Sequence, residues 1–423
     1  MQSAPQVVVT GIGVISPYGP SRAAMWDAIL AGRSAVAPLP ELAKLHADTG
    51  FGARIEGFDA KNYVTPRKSI KVMSPEAQWG FAAAKLALAD AGIEPGKVDV
   101  DRVGVVYGTD LVYSDPRDLA EGFRNCMVDG RLAFSRWGEH ALGAMYPLWL
   151  LKYLPNMPAC HIGISNDARG PNNTISLGEV SSLVAMNEAT RLIERGAADV
   201  VITGGTSDGL NTWSWTSRQT RHSRRHWDPA GACRPFDADR DGMACGQGAA
   251  ALIFESDRHA TARGARPMAK VLSTANAFNP KQAQGWPQEG DGVARVIRQA
   301  LAGAGLSAEQ LGFITAHGYG TVAHDRSEAR GILASAPGTP VTALKGYLSC
   351  LHAAGGAMEA VVAISALEHG RAPVALNSER PDFQCPLNIV RGEPARLRSP
   401  IAMVLAQGTM GQAAAVIFAL PDA

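Results

Sequence analysis

The chain has 423 residues, 46% of them hydrophobic and 19% charged, with 40 basic side chains against 39 acidic ones. A net charge of +1 supplies no field for nucleic acid or an anionic membrane surface, and no apolar run approaches the ~18 residues that span a bilayer. That leaves a globular chain long enough for one large unit or two ordinary domains.

At the N-terminus, "MQSAPQVVVTGIGVIS" starts polar and enters an apolar strand with no secretory signal. Its glycines fit neither GxGxxG nor GxxxxGK[ST], so no nucleotide site is read there and no cofactor is expected. The six cysteines, Cys126, Cys160, Cys233, Cys245, Cys350 and Cys385, form no CxxC pair and no zinc spacing. Free thiols in a reducing cytoplasm, without a metal, are the expectation.

"ALADAGIEPGKVDVDRVGVVYGTD" (87–110) reads as a helix end, a glycine stop, a loop and a buried strand. Residues 110–165 follow, rich in Trp, Tyr, Met and Pro, as a cap, a subunit-contact layer or a plain helical insertion. "NNTISLGEVSSLVAMNEATRLI" (172–193) then shows helical spacing with Glu179 in its first turn, after Gly178. A carboxylate in such apolar company needs a partner or loses its charge.

"GAADVVITGG" reads as a strand buried on both faces. Next comes a basic run with Arg218, Arg221, Arg224 and Arg225, either a solvated loop or a docking patch for an acidic partner. "RPFDADRDGMACGQG" reads as a knot of Arg–Asp pairs before the strand "GQGAAALIF" (246–254).

The pattern then repeats. "ALAGAGLSAEQLGFITAHGYGT" (300–321) matches 87–110, "MEAVVAISALEHGRAPVAL" (358–376) matches 184–205, and "GQAAAVIF" (411–418) matches 246–254. Two copies of one α/β module, residues 1–258 and 259–423, are therefore expected. In the second copy a strand delivers His317 to a glycine-rich turn, the place where α/β proteins expose functional groups. Lys345 follows another short strand, Glu359 lies in the helix opened by Gly355-Gly356, and Cys350 and His352 stand between. A cysteine close to His317 in space would be an activated nucleophile, whereas most single buried cysteines are inert.

Long ordered segments, among them "VVVTGIGVISPYG", "CRPFDADRDGMACGQGAAALIFE", "AHGYGT" and "LKGYLSCLHAAGGAMEA", make the chain resemble a β-ketoacyl synthase of the thiolase fold. The resemblance implies a layered αβαβα core, an acyl carrier protein as partner, and a homodimer or a heterodimer with a cysteine-bearing ketosynthase. It places Glu179 where the family has its acyl-accepting cysteine. His317 falls on the first catalytic histidine, and Lys345 and Glu359 on the accompanying lysine and glutamate. Without a gap Cys350 falls on the second histidine; a shift of two residues would bring His352 there instead. The gating loop becomes Gln407, Gly408 and Thr409, without its two aromatics.

A carboxylate cannot carry an acyl chain as a thioester, since it would make a mixed anhydride, so condensation is expected to be absent. Three readings follow from the resemblance. The first is a subunit like a chain-length factor, paired with an active synthase. The second is a malonyl-carrier decarboxylase. The third is an acyltransferase, thioesterase or altered condensing enzyme using Cys350 with His317. Glu179 is expected to be ionised and hydrogen-bonded to His317 or Lys345.

Overall fold

The computed structural model describes residues 5–94, 96–283 and 289–422. The elements that build its core are, in chain order, β1 (Val7–Ile15), α1 (Pro75–Asp90), β2 (Val103–Thr109), β3 (Asn172–Ile175), α2 (Ser181–Glu194), β4 (Val200–Asp208) and β5 (Cys245–Ser256). These are followed by β6 (Ala269–Phe278), α3 (Asp291–Ala304), β7 (Phe313–Ala316), α4 (Val322–Leu333), β8 (Val341–Ala343), α5 (Gly355–His369), β9 (Ile401–Gln407) and β10 (Gln412–Ala419).

Main-chain pairing links the ten strands in the order β8-β7-β9-β10-β6-β1-β5-β4-β2-β3. The two halves repeat one another: β1-β5-β4-β2-β3 on one side and β6-β10-β9-β7-β8 on the other. They join where β1 and β6 pair antiparallel. Each half mixes parallel pairs (β4 with β2, β2 with β3, β7 with β8) and antiparallel ones.

The strands β1, β2 and β5 are buried on both faces, as their lack of alternation predicts. Between the two halves lie α2 and α5. The latter, "GGAMEAVVAISALEH", is buried from Gly355 to Leu367, so it has no polar side to offer solvent. It stops at Gly370, whose φ of 64° closes the last turn. α1 covers the outer face of the first half, while α3 and α4 cover that of the second. This is the duplicated αβαβα architecture expected from the sequence.

α1 begins in a regular way, with the Ser74 hydroxyl accepting from the Ala77 amide and Pro75 in its first turn. Its alanines let it settle directly on β1, which explains the glycines of "TGIGVIS". A Cβ on Gly13 would stand 2.0 Å from the Ala83 carbonyl oxygen and 2.5 Å from the Ala87 amide, both backbone atoms. We therefore expect Gly13→Val to cost at least the upper end of the ~1–3 kcal/mol typical of overpacking. The check is a lower urea midpoint at an unchanged denaturant slope.

The segment after β2 folds into a helix (Pro116–Asn125), a tiny hairpin, short irregular turns and a second helix (Met157–Ser165). It leaves Phe123, Phe134, Leu142, Leu148 and Leu150 exposed. Among the described residues, no helix is long and apolar enough to cross a membrane.

Candidate active site

β7, buried along its whole length, ends at Ala316 and hands the chain to a turn in which Gly318 and Gly320 have φ of 55° and 80°. Two carboxylates on one face of α4 hold this turn by its amides. Glu328 accepts from His317 N at 2.7 Å and Gly318 N at 2.8 Å. Asp325 accepts from Gly320 N at 3.0 Å and from Phe236 N at 2.8 Å. Burial pushes both up, Glu328 to about 8 and Asp325 to about 6, despite those donors.

Lys345, at the end of β8, points into the interior. Its ammonium lies 3.1 Å from the Glu359 carboxylate and 3.3 Å from His317 Nδ1, and also donates to the His317 carbonyl oxygen. Burial works against its charge, but Glu359 keeps it protonated. Burial, joined by the Lys345 charge, drives His317 well below the usual imidazole value. A neutral ring receiving Lys345 at Nδ1 carries its proton on Nε2, an atom that is buried and, among the described residues, has no hydrogen-bond partner.

Glu179 lies one turn earlier than its spacing predicts. Gly178–Val180 form a 3₁₀ turn and α2 starts only at Ser181. The Ser181 hydroxyl fixes that turn by accepting from Leu177 N at 2.9 Å and reaching the Gly178 carbonyl at 2.6 Å. Glu179 is 6% exposed. Its carboxylate accepts from the Tyr319 hydroxyl at 2.5 Å and lies 3.7 Å from His352 Nδ1. Burial favours the neutral acid, but His352, Tyr319 and the more distant His317 outweigh it and hold the group well below the usual carboxylate range.

Ionisation is as expected; the partners are not. Lys345 is taken up by Glu359 and the His317 carbonyl, and the hydrogen bond comes from Tyr319. That phenol stacks on His324, centroids 4.9 Å apart, and stays protonated through burial and the Glu179 charge.

The loop from 349 to 354 brings a second correction. Cys350, proposed as a nucleophile activated by His317, has His352 as its imidazole partner, with Sγ 3.6 Å from Nδ1. Of the two side chains that could face Glu179, it is the His352 imidazole that forms the ion pair. Backbone geometry explains this: Ser349 and His352 both adopt positive φ, 59° and 44°, which turns the chain twice within four residues. The His352 ring then lies over Gly209, where a Cβ would meet Nε2 at 2.8 Å. Burial and Arg218 oppose protonation of His352, but the sulfurs of Cys350 and Cys245 prevail, holding its pKa well above the ordinary imidazole value.

Gln407 is 3% exposed and donates to the His324 carbonyl at 3.2 Å, with the Glu328 carboxylate 3.4 Å away. Gly408 donates to the Gln412 carbonyl, and Thr409 is half-buried beside it. These contacts tether Gln407 and Gly408 within the turn. Of the basic run, Arg218 is engaged by Asp110 at 2.6 Å and Arg225 by the Asp239 carbonyl at 2.6 Å, whereas Arg221 is half-buried and Arg224 exposed. Sequence reasoning missed Tyr319, Glu328, Cys245 and His222. Of these, only Tyr319 carried a signal, its place two residues after His317 in the same turn.

Among the described residues, no group of three or more potential ligands could hold a metal ion. Residues 4–260 match the family pattern described as Beta-ketoacyl synthase, N-terminal domain, and residues 268–379 match that of the C-terminal domain. The chain is similar to 3-oxoacyl-[acyl-carrier-protein] synthase 2 of Vibrio cholerae, 30% identical over 89% of each chain. It superposes on a β-ketoacyl synthase from Burkholderia phymatum with a TM-score of 0.88 and 26% identity, over 98% of this chain and 99% of that one. Against the ishigamide ketosynthase/chain length factor the TM-score is 0.84 at 26% identity, over 99% and 100% of the two chains.

Proposed function

The chain belongs to the β-ketoacyl synthase family, and on that premise we propose that it is a non-condensing subunit, similar to a chain-length factor, that pairs with a thiol-bearing synthase and meets acyl chains delivered by an acyl carrier protein. One observation carries the reading: Glu179, which the resemblance aligns with the family's nucleophile, has its buried carboxylate already engaged by Tyr319 and His352. An anion so held attacks no thioester, and any anhydride it formed would hydrolyse. The likeness to the ishigamide ketosynthase/chain length factor supports the pairing. So do the exposed apolar side chains after β2 and the position of β3 at the edge of the sheet, where one side of the strand has no partner among the described residues.

A second reading, malonyl-carrier decarboxylation, draws support from the unpartnered His317 Nε2 and the charged Lys345 behind it. A neutral imidazole N–H could donate to an enolate oxygen. The ionised Glu179 nearby opposes it, because it repels both the malonate carboxylate and the enolate.

Intact-mass measurement of the purified chain with acyl- and malonyl-carrier protein separates the two. We expect no covalent acyl group, no carbon dioxide, and condensation only when a thiol-bearing synthase is co-purified. Carbon dioxide release by the isolated chain would establish the decarboxylase instead, and stable acylation would overturn both.

A further inference from the structure

Beside the Glu179 cluster stands a second group of chemically active side chains. Cys245, the first residue of β5, lies opposite Cys350 in an isolated parallel bridge. Their backbones are already joined, with Cys350 N donating to Ala244 O at 2.9 Å and Gly246 N to Cys350 O at 3.0 Å. Both side chains are fully buried in one cluster with Trp215, Met243 and Tyr319. Each sulfur has an imidazole at hand: His222 Nε2 is 3.1 Å from Cys245 Sγ and His352 Nδ1 is 3.6 Å from Cys350 Sγ.

Paired residues on adjacent strands sit about 4.8 Å apart, inside the Cα separation that a disulfide bridges without moving the backbone. Burial works to raise the Cys245 thiol, yet His222 and His352 outweigh it and lower its pKa to about 5. Cys233, whose sulfur accepts from the Ala244 amide at 3.0 Å, goes the other way, burial raising it to about 12. One sulfur is thus prepared as an anion, one lies across the bridge from it, and a third nearby is inert.

We propose that Cys245 and Cys350 are a redox pair that hydroperoxides convert to an intramolecular disulfide. Cys245 sulfur attacks the terminal peroxide oxygen, the O–O bond breaks, and hydroxide or alkoxide leaves with the electron pair, giving the sulfenic acid. Cys350 sulfur then attacks Cys245 sulfur, the S–O bond breaks, and water leaves with the Cys350 proton. In sum, two thiols and one hydrogen peroxide give one disulfide and two waters. His222 orients the attacking sulfur. His352, which lies between Cys350 and Glu179, loses the anionic Cys245 sulfur as a neighbour on oxidation and keeps the carboxylate.

The test is titration of the native chain with one equivalent of hydrogen peroxide, alkylation of the remaining thiols, and peptide mapping. The expected product is a Cys245–Cys350 cross-link, two hydrogens lighter and reversed by dithiothreitol. In Cys350→Ser the reaction should stop at a Cys245 sulfenic acid that dimedone captures. His222→Gln keeps both thiols and should slow oxidation about tenfold or more, as the anionic fraction of Cys245 falls. Prior oxidation of the half-buried Cys160, a cross-link through Cys233, or unchanged kinetics in His222→Gln with native circular dichroism would each overturn the proposal.

Discussion

Glu179→Leu will lower the stability of the chain by about 3–5 kcal/mol, the cost of leaving one half of a buried charge pair without its counterpart. The substitution removes the acceptor of the Tyr319 hydroxyl and the carboxylate beside His352 in a single step. Glu179→Gln keeps an acceptor for Tyr319 and should lose less, about 1–3 kcal/mol. The pH dependence identifies the cause. Glu179 has a folded pKa below its ordinary 4.5, so its contribution is present above pH 4.5 and is lost as pH falls through the folded value. His352 is raised above 6.5, so its contribution is complete below pH 6.5 and is lost as pH rises through its folded value. Urea midpoints of the natural chain and Glu179→Gln should therefore differ most near neutral pH and converge in acid. A gap that stayed constant down to pH 3 would rule out the ionised pair.

Arg240→Met will have a comparable effect through a different cluster. Arg240 is 4% exposed. It donates to Asp382 at 2.7 Å and to the Asp237 carbonyl at 2.6 Å, with Nε 3.3 Å from Asp325. Methionine fills the stem's volume but abandons two carboxylates, so about 3–5 kcal/mol is expected. Asp325 is already raised by burial from 3.8 to about 6, so its neutral form favours folding and that contribution fades as pH rises through 6. Without Arg240 the rise should be larger, and the variant should recover stability on acidification from pH 7 to 5. Asp325→Asn in the same background should restore part of the loss; equal losses at both pH values would refute the assignment. Because Asp325 also holds Gly320 N, the knot that the sequence showed as alternating Arg and Asp anchors the turn carrying His317.

Two of the three repeated pairs made the two-fold strand order legible; in the third only the helices correspond, because 371–372 pairs outside the main sheet and β9 stands as the counterpart of β4. Uninterrupted apolar runs marked strands covered on both faces. His317, Lys345 and Glu359 were legible because strand ends and the helix opening at Gly355 fix where they point. The facing of Cys350 and His352 was not. It depends on left-handed conformations at Ser349 and His352, and neither residue advertises them as glycine would. Nor could the sequence bring His222 to Cys245, since the contact is closed by a loop that packs beside β5 rather than by any helical or strand period. Tyr319 was passed over for a simpler reason: its signal was its place two residues after His317, in a turn already explained by that histidine, and no periodicity reinforced it.

β3 gives the chain one more property. Asn172–Ile175 forms the outermost rung of the sheet, and the polypeptide passes from it through Leu177 into the turn bearing Glu179. The backbone of Glu179 is therefore continuous with the edge of the sheet, with no helix between them. If that edge takes a second chain, as proposed above, a chain paired with a copy of itself and one paired with a different subunit would be distinct chemical species, each with its own Glu179 titration. On that proposal, protein concentration and partner ratio would be variables of the site, to be fixed before any two preparations are compared.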